Sequence, residues 1–472
     1  MISQRTAHTL NVSSSIGLLV DNICCPCQPT LRRSNSTRAL RVPAANIRLW
    51  AYAVLLLAPL AWTQDYTVTK FPTLAGTATR AFSINDAGQV VGGSLLSNGN
   101  THAFLWTSSA GIEDLGTLGG TNSVGNAINQ SGQVVGQADN PFNSYAFLWT
   151  QAGGMQDLGA LGAYSSSYAI NNSGEVAGSS QVGSGDNVHA FLWTEAGGMQ
   201  DLGTLQGGTF GSFASGINDS GQVTGTSYIS DNSLHAFLWT QSAGMQDLGT
   251  LGGPNSFAAA INNSGEIVGY SDTTDGVEHP FLWTQTAGMQ DLGTPPGFTY
   301  STALGINTAG AVVGSAWNPT AKGSPFLWTQ SGGMKTLGPF GDIALTDGNA
   351  INDAGLILAS LYNGTGYSSY LLTPNQSTTA TALTSSLNPA TLGQPITFTA
   401  TVTTSGSIAP TGTVNFKWGP DGIGTGTLNA SGVATFTTSI LKPGPYKITA
   451  VYKGDASNLG SSSAVLHQGV KH

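Results

Sequence analysis

Charge is scarce in this chain: only 8% of its 472 residues are Asp, Glu, Lys or Arg, against about a quarter in ordinary soluble domains. No Lys or Arg occurs from Ala81 to Ala321. That span lacks the contacts by which proteins hold nucleic acid or an anionic membrane surface, so neither is expected as a partner. Cysteine is confined to Cys24, Cys25 and Cys27. The cluster has no second half at zinc-ligand spacing, and the remainder of the chain has no disulfide to rely on. Long apolar runs are missing as well, since the run from Leu49 to Ala61 is too short to span a bilayer comfortably. No Gly-x-Ser-x-Gly elbow, His-Glu-x-x-His or phosphate-binding glycine loop is present. Disorder is also excluded, because 40% apolar content with recurring Trp and Phe can fill a core.

What stands at the N-terminus differs in kind from the rest. Six of the fifteen basic residues (Arg5, Arg32, Arg33, Arg38, Arg41, Arg48), all three cysteines and a single acid, Asp21, precede residue 64. Arg48 followed by the apolar run from Leu49 has the build of a signal-peptide core. Residues 1–63 are therefore read as an N-terminal extension and signal peptide, cleaved between Ala61 and Gln64. The mature chain then has nine basic against twenty-three acidic residues, a net charge near −14, no cysteine and no stable membrane span. A secreted or cell-surface location is expected.

The dominant feature of the remainder is repetition. Phe-Leu-Trp occurs six times, ending at Trp106, Trp149, Trp193, Trp239, Trp283 and Trp328, and a degenerate copy, Tyr370-Leu371-Leu372, follows. The spacings of 43 to 46 residues mark a supersecondary unit that must stack on copies of itself. Each period carries four strand candidates, A to D. In the fourth copy these are Ser215 to Asn218, Gln222 to Gly225, His235 to Thr240 and Met245 to Gly249, with tight turns between A and B and between C and D. Alternation puts His235, Phe237 and Trp239 on one face of strand C and Ala236, Leu238 and Thr240 on the other. Both faces are largely apolar, which calls for radially packed four-stranded sheets covered on both sides.

Ile-Asn in strand A occurs seven times (Ile84, Ile128, Ile170, Ile217, Ile261, Ile306, Ile351), but the D-strand signature follows only six of them. Thr67 to Phe71 aligns without a gap to the D-strand register. The expectation is a seven-bladed β-propeller over residues 64–374, closed by the N-terminal strand so that no sheet edge stays open. The tripeptide His-Ala-Phe at His102, His189 and His235, with the surrounding Gly-Met-Gln-Asp-Leu-Gly, resembles the HAF-repeat family of predicted bacterial extracellular repeats. That resemblance implies export and no known activity. From Thr378 the period gives way to alternating Thr, Ser and Ala in strands bounded by Gly and Pro. Pro410 to Phe416 and Tyr452 to Asp455 resemble the motifs of bacterial Ig-like repeats. An immunoglobulin-like β-sandwich is expected over 375–466, followed by a tail at 467–472.

Candidate chemistry is sparse. The seven Asn after Ile, and the strand D aspartates Asp114, Asp157, Asp201, Asp247 and Asp291, read as turn and hairpin ties. The repeated His cannot share one ion, because stacked sheets lie about 10 Å apart. Each is expected to bond a polar group of its own repeat, and no metal site is assigned. No cofactor is expected, calcium being the one ion that loop carboxylates could hold. Those carboxylates, outside the repeat register, are Asp139, Asp186, Asp231, Asp272, Asp275, Glu278, Asp342 and Asp347.

The connections B to C and D to A vary in length and sequence, and strand parity places both sets on one face. They bring Tyr164, Phe210, Tyr228, Phe298, Trp317, Tyr362 and Tyr367 among Ser, Asn and Thr, a composition suited to sugar rings or a protein surface. The leading expectation is a non-catalytic binding or scaffold protein holding an extracellular glycan or protein on that face. The alternative is a polysaccharide-active propeller enzyme, hydrolase or lyase, using the loop carboxylates, which two such groups in one cleft would favour.

Overall fold

The structure, a computed structural model, describes residues 66–472 apart from 184, 186, 206–209, 320, 331, 363, 365, 407, 420, 456 and the side chains of 321 and 322. The extension and signal peptide expected over 1–63 lie outside the described residues. Every regular element among the described residues is a β-strand. Seven of the sheets are four-stranded and antiparallel; sheets 1 to 6 span 79–114, 123–157, 165–201, 212–247, 252–291 and 300–336. The seventh joins Asp347–Ile351, Ile357–Tyr362 and Tyr367–Pro374 to the N-terminal strand Tyr66–Lys70, which pairs antiparallel with Tyr367–Pro374.

Sheet 4 shows why the repeat folds this way. Its strands Ser212–Ile217, Val223–Tyr228, Leu234–Thr240 and Gly244–Asp247 pair in sequence order. The first turn closes on Gly221 at φ 72°, where a side chain would be strained. Asn218 Oδ1 accepts the Ser220 and Gln222 N–H groups across that turn. In strand B the third residue must also be small: a Cβ on Gly269, in the equivalent place of sheet 5, would stand 1.9 Å from the Phe257 carbonyl oxygen. A β-bulge between Ala258 and Ala260 marks this close approach.

Strand C is buried on both faces, with Phe237 at 0%, Leu238 at 5% and Trp239 at 5% exposure. Ala236 and Leu238 of sheet 4 pack with Ile267, Phe281 and Trp283 of sheet 5, while Phe237 and Trp239 pack with Leu192 and Leu202 of sheet 3. Full burial of each such side chain is worth about 1.5–3 kcal/mol, so neither face can be left to water. The sheets succeed one another in cyclic order, and strand A of sheet 1 touches strand A of sheet 7 as well as that of sheet 2.

The same order is written in hydrogen bonds. Asn85 Nδ2 donates to the Asn129 carbonyl (3.0 Å), Asn129 to Asn171 (3.1 Å), Asn171 to Asn218 (3.1 Å) and Asn218 to Asn262 (3.2 Å). Asn262 donates to Asn307 (3.1 Å), Asn307 to Asn352 (3.2 Å), and Asn352 back to Asn85 (3.0 Å). Each Asn thus serves its own hairpin through Oδ1, as expected for a turn residue, and its neighbour through Nδ2, which the turn chemistry alone did not indicate. Face-to-face four-stranded sheets in a cyclic series make a propeller-like arrangement.

The C-terminal part is a two-sheet sandwich. Thr379–Ser385, Ile396–Thr404 and Val433–Thr438 form one sheet; the other contains Ala390–Thr391, Leu466–Lys471, Gly444–Gly454, Thr413–Trp418, Asp421–Thr427 and Leu459–Ser462. Phe398, Phe416, Ile448 and Tyr452 fill the space between them. The expected tail at 467–472 is corrected here: Leu466–Lys471 is a strand pairing with Gly444–Gly454, and Gln468 and Val470 are buried. Its alternation is hidden in the sequence because the inward position 468 is polar. Gln468 is satisfied by donating to the Leu387 carbonyl (2.8 Å) and by accepting from Ser385 Oγ (2.6 Å). The Tyr-x-Gly-Asp motif has a structural use, since Asp455 accepts the Thr411 N–H (2.7 Å) and the Ser457 N–H (2.8 Å). Burial alone raises that carboxyl, but these bonds bring it below the usual carboxylate range.

Candidate functional site

Because strands alternate in direction, each four-stranded sheet has two ends. One end carries the uniform A to B and C to D turns, and the other carries the variable connections.

The uniform end is tied up internally. Backbone N–H groups of Asp86, Gln130, Asn172 and Asp219 donate to the side-chain oxygens of Gln130, Asn172, Asp219 and Asn263, and Asp353 N–H donates to Asp86. Burial raises the Asp219 carboxyl, yet the bonds from Asn172 and Asn263 hold it below its ordinary value. A groove of about 350 Å³ between sheets 4 and 5 opens at this end, lined by Gln222, Leu238, Glu266 and Trp283, all at repeat positions. At the opposite, variable end, toward the outer edge, His102, His189, His235 and His279 each bond the strand D aspartate of their own sheet at 2.8–2.9 Å. The same aspartates cap the glycine N–H groups of Gly116, Gly203, Gly249 and Gly293. The His and Asp of the repeat therefore pin the short outer strand. Among the described residues no group of three or more His, Cys, Asp or Glu could hold a metal ion.

The variable end holds the seven aromatics singled out in the sequence. Phe210 meets Tyr228 edge-on at 5.6 Å in sheet 4, and Tyr362 meets Tyr367 at 4.9 Å in sheet 7. Trp317 stacks at 5.8 Å on Tyr300 in sheet 6, a partner the sequence reading missed although Tyr300 is its cross-strand neighbour. Phe210 and Tyr362 remain 55% and 51% exposed. The Arg80 guanidinium, also missed, lies 4.4 Å above the Tyr367 ring. Two of the seven stand apart: Phe298 packs into the apolar cluster between sheets 5 and 6, and the Tyr164 carbonyl accepts the Gln181 N–H. The aromatics thus form separate platforms along the face, each within its own sheet.

Of the loop carboxylates, Asp139 is bound by Asn122 (3.0 Å) and Asp347 by Ser315 (3.0 Å) and Thr346 (2.8 Å). Asp231 and Asp275 sit below their ordinary values through bonds from the Ser233 and Thr273 side chains. Asp186 lies outside the described residues, and Asp342 lies exposed in a turn. The remaining pair differs: Asp272 and Glu278 are direct cross-strand partners in sheet 5. Burial, and then the Asp272 charge, push the Glu278 carboxyl above the usual range. Beside them, on the adjoining rung, Phe257 and Tyr270 stack at 4.7 Å. The sequence held a signal for this stack, because the place of Tyr270 is taken by Gly93, Gln137, Ser179, Thr226, Ser315 and Ser360 in the other sheets.

Comparison with known proteins bears mainly on the C-terminal part: residues 383–471 match the bacterial Ig-like domain (group 3) family. No curated protein sequence matches the chain. Among solved structures it is similar to a putative TolB from Agrobacterium tumefaciens, at 15% identity over 51% of this chain and 88% of that one, with a TM-score of 0.36. TolB from Acinetobacter baumannii gives 12% identity, 65% and 80% coverage and a TM-score of 0.36. A gluconolactonase from Xanthomonas campestris gives 9%, 66%, 90% and 0.33. These likenesses are distant. No helix among the described residues is long and apolar enough to cross a membrane.

Proposed function

We propose that residues 64–374 form a seven-bladed β-propeller closed by the N-terminal strand, and that the protein is a secreted or cell-surface, non-catalytic binding or scaffold protein. Its ligand, an extracellular glycan or protein, lies on the variable-loop face, and the Ig-like domain serves as stalk or second contact. The observation that carries this reading is the set of aromatic pairs at the variable ends of sheets 4, 6 and 7, with the Phe210 and Tyr362 rings left half-exposed. The matching end of every sheet is instead consumed by its own turn bonds. The resemblance to HAF repeats and the apolar run before Gln64 support export. The reading calls for no cofactor.

The test is binding to a panel of neutral oligosaccharides by the mature protein, with Tyr228→Ala and Trp317→Ala compared at matched thermal stability. Loss of an aromatic platform should weaken binding about tenfold or more. Variants that bind as wild type would place the ligand elsewhere. A second reading, a polysaccharide-active enzyme, is favoured by one observation, the adjacent carboxyls of Asp272 and Glu278. Release of new reducing ends from the same panel would establish it over the first.

A further inference from the structure

Sheet 5 departs from the repeat at one place on the variable face, and the repeat itself provides the comparison. The sixth residue of strand B faces the first residue of strand C as Leu95/Thr101, Asp139/Ser144, Gln181/Val188, Tyr228/Leu234 and Tyr362/Tyr367 in sheets 1, 2, 3, 4 and 7. In sheet 5 the pair is Asp272/Glu278, two acids directly opposed. Like charges in this register repel. Asp272 receives the Asn255 Nδ2 at 2.8 Å. Glu278 is half-buried, yet its carboxyl has no hydrogen bond or ion pair among the described residues.

Alternation shows where these groups face. Val268 and Leu282 pack against Ala303, Val312 and Phe326 of sheet 6. Tyr270 and Asp272 share the parity of Val268, and Glu278 shares that of Leu282, so all three stand on the side of sheet 5 turned to sheet 6. Phe257, cross-strand partner of Tyr270, stands there too; Asn255 instead reaches back to sheet 4, its Oδ1 accepting the Leu234 N–H (3.1 Å) while its Nδ2 donates to Asp272. The outer rung on that side is thus Asp272 and Glu278, both acceptors, and the next rung inward begins with the Phe257–Tyr270 stack. Adjacent hydrogen-bonding groups over an aromatic surface match a pyranose, whose hydroxyls lie at its rim and whose C–H groups line one face.

We propose that Asp272 and Glu278, with the Phe257–Tyr270 stack, form a subsite for a neutral sugar ring between sheets 5 and 6. The carboxyl pair takes vicinal hydroxyls, so that the ligand supplies hydrogen-bond partners that Glu278 does not have among the described residues. The proposal rests on the variable-face reading above, and narrows its ligand from glycan or protein to a neutral glycan.

The experiment measures, by calorimetry, binding of cello-, xylo-, manno- and maltohexaose to the mature protein and to Tyr270→Ala, Asp272→Ala and Glu278→Ala, with thermal unfolding of each recorded. Glu278→Gln keeps the shape and hydrogen-bonding capacity of Glu278 and guards against loss of fold. The expected result is that at least one hexaose binds, that the three alanine variants weaken it about tenfold or more, and that Glu278→Gln weakens it less than Glu278→Ala. If a hexaose binds and Trp317→Ala weakens it while these variants do not, the subsite is wrong and the face remains. If wild type binds none of the four, the subsite and its sugar reading both fall.

Discussion

Glu278 is where a single side chain most clearly works against the fold. A carboxyl set opposite another across two strands costs about 0.2–1 kcal/mol, and sequences retain such local conflict chiefly at functional places. Burial first, and the Asp272 charge second, raise its carboxyl above the ordinary value of 4.5. A folded-state value that is raised means the folded chain holds the proton more tightly. The associated stability is fully present below the ordinary value and is lost as pH rises through the folded one. Glu278→Gln removes that loss. It should be more stable than wild type at neutral pH by about 0.2–1 kcal/mol, and the gain should vanish once the medium is acid enough to protonate the carboxyl. Urea unfolding of both proteins at two pH values checks this. A variant less stable than wild type at neutral pH would show that the carboxylate has a stabilising partner and carries no conflict.

Among the elements, the strand Tyr66–Lys70 matters most for its size. It is the outer strand of sheet 7, whose other strands come from the far end of the repeat region, and Tyr66 and Val68 pack into the cluster containing Ile357, Tyr370 and Leu372. Deleting Tyr66–Lys70 leaves the Tyr367–Pro374 edge unpaired and opens that cluster. Calorimetry should show one transition for residues 66–374, moved down by several degrees, as loss of a kcal/mol or more does in a domain of this size. Unchanged melting would argue against closure by this strand. The strand was legible because its register matches that of strand D in other copies, and the sheets were legible because apolar residues on both faces of Phe-Leu-Trp demand cover. The Asn circuit and Tyr300 were not, since their meaning lies in a partner one sheet or one strand away, and the Phe257–Tyr270 stack showed only as an aromatic at a place where the other copies hold a small or polar residue. The strand Leu466–Lys471 was missed for a different reason: Gln468 is buried through its hydrogen bonds, which no hydropathy pattern displays.

For the whole molecule, the division of labour between the two ends of the sheets is the main result. One end spends its polar groups on the turn-to-turn bonds that join neighbouring sheets; the other keeps aromatics, amides and one opposed acid pair at the ends of connections that differ from sheet to sheet. Charge adds a constraint. Residues 66–374 hold four basic and twenty acidic side chains, so an anionic ligand is repelled, and a neutral one should bind with an affinity nearly independent of salt. Hydrogen exchange read by mass spectrometry, with and without the hexaose that binds best, locates the ligand directly. The account predicts slowed exchange in the B to C and D to A connections of sheets 4 to 7 and no change in the A to B and C to D turns. Protection confined to those turns, to the groove beside Trp283, or to the Ig-like domain would contradict it.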